Sequence, residues 1–386
     1  MRILHVVDAW GGGVVTALNQ FVKSTSEHEH FLATRLQVAE HVPDGELNQF
    51  KGVERLPHGF AGASWAVHRF AEAIGADVIH AHSSLAGVMV RVGNRNRWSR
   101  RLIYSPHCFA FERRDISRIV RGGVYLAELV LSLNTEVIAA CSHRERELAG
   151  RMWSRGGTVY IPNSVDGANE DGDAPAAPRF VGLGDVVSVA MLGRISPQKD
   201  PTFYVNVVDG LKKVAPRVNA QWIGGGLAEL GALMEAASVT VSGWLPAGEA
   251  KKALQHVDVY VHTAAWEGFP MAILEAQAAG LLIVARDIPA LSGTCPDWLG
   301  VEPDDVVERI TALLVSPAAQ ALNRTEWSVA LQENAPDVQR TRLLDLYARG
   351  QRRKFWDRRA IRSAAQVTTS TEVGAATGRW RSEEID

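Results

Sequence analysis

The sequence predicts an α/β protein built from two doubly wound parallel-sheet domains that face each other across a cleft. Two observations predict this. Short apolar runs alternate with longer stretches of helical period through most of the 386 residues. The alternation also breaks once, over residues 166–184, and then starts again. A chain of this length is too long for one ordinary domain and suits two of about 150–180 residues each.

In the first half the expected strands are Ile3–Val7, Phe31–Leu36, Val78–Ala81, Leu102–Tyr104, Val137–Ala140 and Val159–Ile161, and Val14, Leu18, Phe21 and Val22 mark a helix after the first of them. Ligands of such sheets sit beyond the carboxyl ends of the strands. Polar and glycine residues collect there: Asp8, Gly11-Gly12-Gly13, His82-Ser83, Pro106-His107, Ser142 and Asn163. Asp166 to Gly184 is rich in Gly, Ala, Pro and Asp without periodicity, which predicts a linker. The second series of strands is Val186–Leu192, Ala220–Ile223, Val239–Ser242, Val257–Val261 and Leu281–Ala285. Its strand ends carry Gly193-Arg194, Gly224-Gly225-Gly226, Gly243-Trp244 and Glu267-Gly268. The expected organisation is a domain over 1–165, the linker over 166–184, a second domain over 185–336, an Arg-rich helix over 337–362 and a disordered tail over 363–386.

Composition excludes several classes. Hydrophobic residues make up 46% and charged residues 22%, enough for a core in each half. A net charge of −2 argues against nucleic acid as the partner of the whole molecule. No apolar run approaches a membrane span. The opening run Met1–Val7 ends in Asp8 without a small-residue cleavage site, so it is expected to be the first buried strand and not a signal sequence. Three cysteines without metal spacing, Cys108, Cys141 and Cys295, suit a reduced, cytoplasmic protein.

The sharpest motif is Glu267-Gly268-Phe269-Pro270-Met271-Ala272-Ile273-Leu274-Glu275. Pro270 suits the first turn of a helix, because its missing N–H would be unpaired there anyway. Glu267 then precedes the helix and Glu275 lies more than one turn inside it. The free amides of the helix start make an anion site with a carboxylate on either side. Ionised carboxylates accept hydrogen bonds and can hold sugar hydroxyls. By spacing alone, two solvated acids flanking a helix start are the better fit.

This Glu-x7-Glu segment resembles the signature of retaining glycosyltransferases of family 4, which have the GT-B fold of two Rossmann-like domains. The resemblance extends to Gly193-Arg194-Ile195-Ser196-Pro197-Gln198-Lys199-Asp200, to Ile161-Pro162-Asn163-Ser164-Val165-Asp166 and to the early triple glycine. Tyr104-Ser105-Pro106-His107 with Phe109-Ala110-Phe111 resembles bacterial enzymes that build capsule or exopolysaccharide. The resemblance implies a nucleotide-sugar donor, UDP-linked above all, and a lipid-linked acceptor at the inner face of a membrane. It implies that Glu275 binds the donor ribose, that Glu267 lies near the donor sugar and the reacting centre, and that Arg194 and Lys199 hold the diphosphate. Fixed cations there stabilise the charge left on the leaving group. Gly12 and Gly13 would reach the donor across the cleft, with Phe269, Pro270 and Met271 lining it. His107 would touch the donor sugar or aid catalysis, and Trp244 would read the base. Ser164 stands where the family usually has Gly.

No metal or other cofactor is expected. Asp171-Gly172-Asp173 has the Asp-x-Asp form of metal-dependent enzymes but falls in the linker, and His80 with His82 lacks an evident third ligand. A nucleotide-sugar epimerase, or a non-catalytic nucleotide-sugar-binding protein, is the alternative on the same fold. Basic residues suggest an anionic membrane surface as a further partner. They are Arg91, Arg95, Arg97, Arg100, Arg101, Arg113, Arg114, Arg118 and Arg121, and then Arg352, Arg353, Lys354, Arg358, Arg359 and Arg362 around Phe355 and Trp356.

Overall fold

The computed structural model describes residues 1–35, 46–93, 101–166 and 180–355. The first domain runs β1 (Arg2–Ala9), α1 (Gly12–Ser24), β2 (Glu29–Arg35), β3 (Val53–Arg55), α2 (Phe60–Ala73), β4 (Val78–His82), α3 (Ser84–Gly93), β5 (Arg101–Ser105), α4 (Arg118–Ser132), β6 (Val137–Ala140), α5 (His143–Ala149) and β7 (Thr158–Tyr160). The second runs β8 (Val187–Leu192), α6 (Pro201–Val214), β9 (Val218–Ile223), α7 (Ala228–Ala236), β10 (Thr240–Val241), α8 (Ala247–Leu254), β11 (Val259–His262), α9 (Met271–Ala278), β12 (Leu282–Arg286), β13 (Leu299–Gly300), α10 (Pro303–Val315) and α11 (Pro317–Ala330). A last helix, α12 (Pro336–Phe355), follows.

The first sheet has the order β3-β2-β1-β4-β5-β6-β7 and the second β10-β9-β8-β11-β12-β13. All neighbouring strands in both are parallel. Strand order reverses between β1 and β4 in one sheet and between β8 and β11 in the other. Those reversals are where doubly wound sheets open a crevice for ligands. Val78, Ile79, Val137, Ile138, Val259 and Val261 are buried on central strands, as expected of strands covered by helices on both faces. The exception is polar. His5, His30, His80 and His82 lie buried in the middle of the first sheet.

Both sheets belong to one compact unit, Met1–Leu343; from Leu344 onward the second unit's described part is the remainder of α12. Within the first unit, the opening turns of α12 hold the first domain. Gln339 donates to the Pro162 carbonyl at 2.8 Å, and Arg340 pairs with Glu27 at 2.8 Å. Asn334 donates to the Asn163 carbonyl at 2.7 Å. Most of the expected linker (167–179), Asp171-Gly172-Asp173 and the 363–386 tail lie outside the described residues, as do Arg95, Arg97, Arg100, Trp356, Arg358, Arg359 and Arg362 and the side chains of Arg352, Arg353, Lys354 and Phe355.

One basic residue is misassigned by sequence reasoning. Arg91 is fully buried. It donates to Glu128 at 2.8 Å and its guanidinium lies 4.0 Å from the Tyr104 ring. A Cβ on Gly87 would approach that ring to 2.5 Å, so glycine makes room for the pair. Arg91 is therefore a core group and no part of a surface cluster. Arg101 and Arg113 are tied to Glu136 and Asp115.

Candidate active site

The candidate site residues lie on the loops and opening helix turns that follow the carboxyl ends of the strands. Gly11-Gly12-Gly13 follows β1, His107 follows β5, Gly193-Arg194 follows β8 and Glu267 follows β11. Sequence order separates these groups widely; the two sheets bring them together at their facing ends.

Two helix starts meet there. α4, α5, α6 and α11 begin with side-chain caps from Ser117, Ser142, Asp200 and Ser316. α1 and α9 have no side-chain cap and no acid in the first turn. The amides of Gly12, Gly13, Met271 and Ala272 donate to nothing among the described residues. A Cβ on Gly13 would sit 3.5 Å from Met271 Cγ, and one on Gly12 would sit 3.9 Å from Arg194 Nη2. Two positive dipole ends and a guanidinium thus converge, with no acidic cap or first-turn acid on either helix among the described residues. Arg194 is exposed and forms no ion pair among the described residues. Its guanidinium lies 5.8 Å from the ring of Trp244, which is 55% exposed. Glycine is required in the loop below: a Cβ on Gly225 would come within 2.7 Å of Trp244 Cδ1, and one on Gly224 within 2.3 Å of the Gly193 carbonyl oxygen.

The second cation is placed differently. Lys199 precedes Asp200, the N-cap of α6, and so stands on the loop just before that helix. Its ammonium donates to Glu267, and Gln198 donates to the other carboxylate oxygen at 3.3 Å and to the Trp266 carbonyl at 3.0 Å. Both ends of the ion pair are largely buried. The stem of Lys199 crosses Gly193, where a Cβ would sit 3.0 Å from Cε. Glu275 is half-buried one turn into α9, and its carboxylate accepts no hydrogen bond among the described residues. Burial raises its pKa and Lys199 partly offsets that. Pro270 is the N-cap and not the first helical residue, because its ψ of 111° is still extended. The Phe269 carbonyl accepts from Asn163 at 3.1 Å, a link between the domains.

His107 comes from the first domain. It has φ 51° and Cys108 has φ 99°, both unfavourable for side-chain-bearing residues. Glu145 holds this turn, accepting from the Cys108 amide and the Cys141 amide at 2.7 Å each. Gly268 presses on the same turn from the other domain; a Cβ there would lie 2.6 Å from the Cys108 nitrogen and 2.7 Å from the His107 carbonyl carbon. Glycine at 268 is thus what lets the Glu267 loop reach His107. His107 Nε2 lies 3.0 Å from His82 Nδ1, and burial lowers its pKa to about 4. Ser164 has no positive φ, so glycine is not required there, and its Oγ is buried without a partner among the described residues.

Sequence reasoning missed Glu145, although Ser142-His143-Arg144-Glu145 has the form of a capping box. It also missed His5 and His30, which share the buried layer with His80 and His82. The pairing of His5 with His80 across β1 and β4 is set by register.

Residues 11–164 match the family model described as glycosyl transferase 4-like domain, and residues 187–316 match the model described as glycosyl transferases group 1. The chain carries the two domains of a group 1 glycosyltransferase. It is 24% identical over 310 residues to an uncharacterized 41.2 kDa protein in the cps region of Klebsiella pneumoniae, over 78% of this chain and 84% of that one. It is 27% identical over 236 residues to the UDP-Gal:alpha-D-GlcNAc-diphosphoundecaprenol alpha-1,3-galactosyltransferase of Escherichia coli, over 55% of this chain and 58% of that enzyme. Among solved structures, Anabaena HepE in complex with UDP-glucose matches with a TM-score of 0.72 at 18% identity, over 90% of this glycosyltransferase and 99% of HepE. The fold is GT-B, and the converged helix starts lie between its two domains.

Proposed function

We propose that this glycosyltransferase moves a hexosyl group from a UDP-sugar to a lipid-linked saccharide, with retention at the anomeric carbon and without a catalytic metal. The observation that carries the reading is the meeting of two uncapped helix starts with Arg194, which has no ion-pair partner among the described residues. A diphosphate between them would receive the amides of Gly12, Gly13, Met271 and Ala272, which lack acceptors among the described residues. As the sugar–phosphate bond breaks, charge grows on that diphosphate, and these groups are already aimed at it. Lys199 adds a second cation on the Glu267 side.

Glu275, an acceptor with no donor among the described residues, suits the ribose hydroxyls. Trp244 offers a face to the base. Glu267 is already held by Lys199 and Gln198, which makes it a poor nucleophile and a good fixed charge beside the sugar. That supports attack by the acceptor hydroxyl from the leaving-group side over a double displacement through a glycosyl–carboxylate intermediate. His107 approaches the sugar from the first domain.

The acceptor reading draws on the Escherichia coli relative, whose name specifies a diphosphoundecaprenol-linked sugar. A surface feature supports a membrane nearby. Ile119, Leu126 and Val130 on α4 and Leu133 at its C-cap form one stripe and are 88%, 61%, 60% and 47% exposed. Arg118 at the start of the same helix and Arg114 on the loop before it are exposed. No described helix is long and apolar enough to cross a membrane, so attachment would be peripheral. A panel of nucleotide sugars tests the donor. One UDP-sugar should raise the melting temperature and be slowly hydrolysed; at a hundredfold excess over Kd the gain is about 2.7 kcal/mol. Failure of every nucleotide sugar to shift the melt would refute the reading, and epimerisation of the donor without an acceptor would replace it.

A further inference from the structure

Four histidines make a continuous path from β2 to the active site, and a fifth, His80, stacks beside it. His30 Nε2 lies 2.9 Å from the Thr25 carbonyl oxygen. His30 Nδ1 lies 3.0 Å from His5 Nε2, His5 Nδ1 lies 3.0 Å from His82 Nε2, and His82 Nδ1 lies 3.0 Å from His107 Nε2. His80 stacks on His82 with ring centroids 4.2 Å apart and branches to Ser105 Oγ at 2.9 Å. Ligand nitrogens of His5, His80 and His82 fall within 4.8 Å of one another, as a metal site requires. Both nitrogens of His5 and both of His82 are, however, engaged with other rings. A cation there would break those bonds and leave its charge with no carboxylate in the group.

The hydrogen-bond logic of the row has one solution. A neutral imidazole has one N–H and one bare nitrogen. Burial and the neighbouring rings lower the pKa of His5, His30, His80 and His82, so the row is neutral near pH 7. The Thr25 carbonyl can only accept, and the Thr25 hydroxyl spends its proton on the Phe21 carbonyl at 2.7 Å. His30 must therefore carry its proton on Nε2, which leaves Nδ1 bare. His5 must then donate from Nε2, His82 likewise, and His107 likewise. His107 Nδ1 is the end of the sequence. It has no partner among the described residues and is not sealed from solvent.

We propose that the row Thr25–His30–His5–His82 is a positioning device that fixes the tautomer of His107, so that its bare Nδ1 is presented to the active site as a hydrogen-bond acceptor. This rests on the reading above that His107 meets the donor sugar. His107 so fixed accepts a proton or hydrogen bond from a sugar or acceptor hydroxyl and cannot donate one from that nitrogen. Its ligand is thereby a hydroxyl and not a phosphate oxygen, which offers no proton in its ionised form.

The test is ring-nitrogen NMR on the full-length protein labelled at its 12 histidines, with His107 assigned by loss of its signal in His107→Asn. The wild type should show His107 protonated at Nε2; a proton on Nδ1 overturns the proposal. His30→Leu removes the acceptor for His5 and lets the row run backwards, so His107 should move to the Nδ1–H form. The kcat for donor turnover should then fall about tenfold or more, with KM little changed, as expected for one misdirected hydrogen bond. His30→Asn, whose Oδ1 can take the place of Nδ1 as acceptor, should keep the wild-type tautomer and rate. If His30→Leu folds and retains Nε2–H at His107, the row does not set the tautomer and the proposal fails. A reversed tautomer with unchanged kcat would support the row and sink the donor-contact reading of His107.

Discussion

Gly268→Ala should cripple the enzyme although the backbone at 268 would accept alanine, because its φ lies outside the left-handed region. The objection is purely spatial. The new methyl carbon would lie 2.6 Å from the Cys108 nitrogen, 2.7 Å from the His107 carbonyl carbon and 3.0 Å from Cys141 Sγ. Two of these are backbone atoms of a turn already held in an unfavourable conformation by Glu145, so neither can swing away as a side chain would. Ordinary contacts of this kind are about 3.5 Å or more, so the Glu267 loop must retreat by roughly 1 Å. Overpacking of this sort costs about 1–3 kcal/mol of stability, or several degrees of melting temperature. A displacement of about 1 Å at a reacting centre costs on the order of a hundredfold in rate. Initial rates of donor turnover and a thermal melt measure both. Gly248→Ala, at an open helix position with nothing within 4 Å, is the matched control and should leave both unchanged. If Gly268→Ala keeps a rate within about threefold of wild type, the contact between the Glu267 loop and the His107 turn does not position the site.

Lys199→Ala and Glu275→Ala should each lower turnover by about a hundredfold, roughly 3 kcal/mol, while far-ultraviolet circular dichroism stays native. Near-full activity in either folded variant removes that residue from the site. Turnover should survive EDTA; loss on chelation and recovery with manganese would show that a metal, and not Arg194 with Lys199, carries the leaving-group charge. The protein should float with anionic liposomes at low salt, and Ile119→Glu with Leu126→Glu should abolish this by removing the apolar stripe of α4. Retention of that double variant on vesicles would move membrane contact elsewhere.

Much of the fold was legible because it rests on local signals. Strands such as Val137–Ala140 are continuous apolar runs, and the two sheets recur with one interruption between them. β3 and β13 escaped because they are short pieces at sheet edges, where Val53-Glu54-Arg55 needs no continuous apolar face. The donor-side motif was legible as a helix start with flanking acids. What the sequence could not provide was partnership. Nothing in the spacing of Arg91 reveals that Glu128, 37 positions later, lies opposite it in the core. Nothing in the Gly-Phe-Pro segment reveals that the glycine touches His107. The histidine row is half legible: His80 and His82 share a face by alternation, but His5 and His30 join them only through strand register.

That row also sets how the protein responds to acid. The histidines are neutral in the fold and their pKa values lie below the ordinary value of 6.5, chiefly through burial. Besides each other, the charged groups bearing on them are few: Glu27, which slightly favours protonation of His30, and the chain's own amino terminus and His28, which oppose it. For a group with a depressed folded pKa the unfolded chain binds the proton first. Stability is therefore intact above the unfolded value and is lost as pH falls from about 6.5 toward the folded value. For His107, with a folded pKa of about 4, the loss between pH 7 and pH 5 is about 2 kcal/mol, and the more deeply buried rings add to it with the same sign. For a domain of this size about 2 kcal/mol corresponds to roughly 4–8 °C. A melting series from pH 7.5 to 5 should fall steeply below pH 6.5, and in His107→Asn the slope should lessen by the His107 share. A melting temperature flat across that range would mean that these rings are hydrated or already charged in the native protein. The single-tautomer row would then not exist.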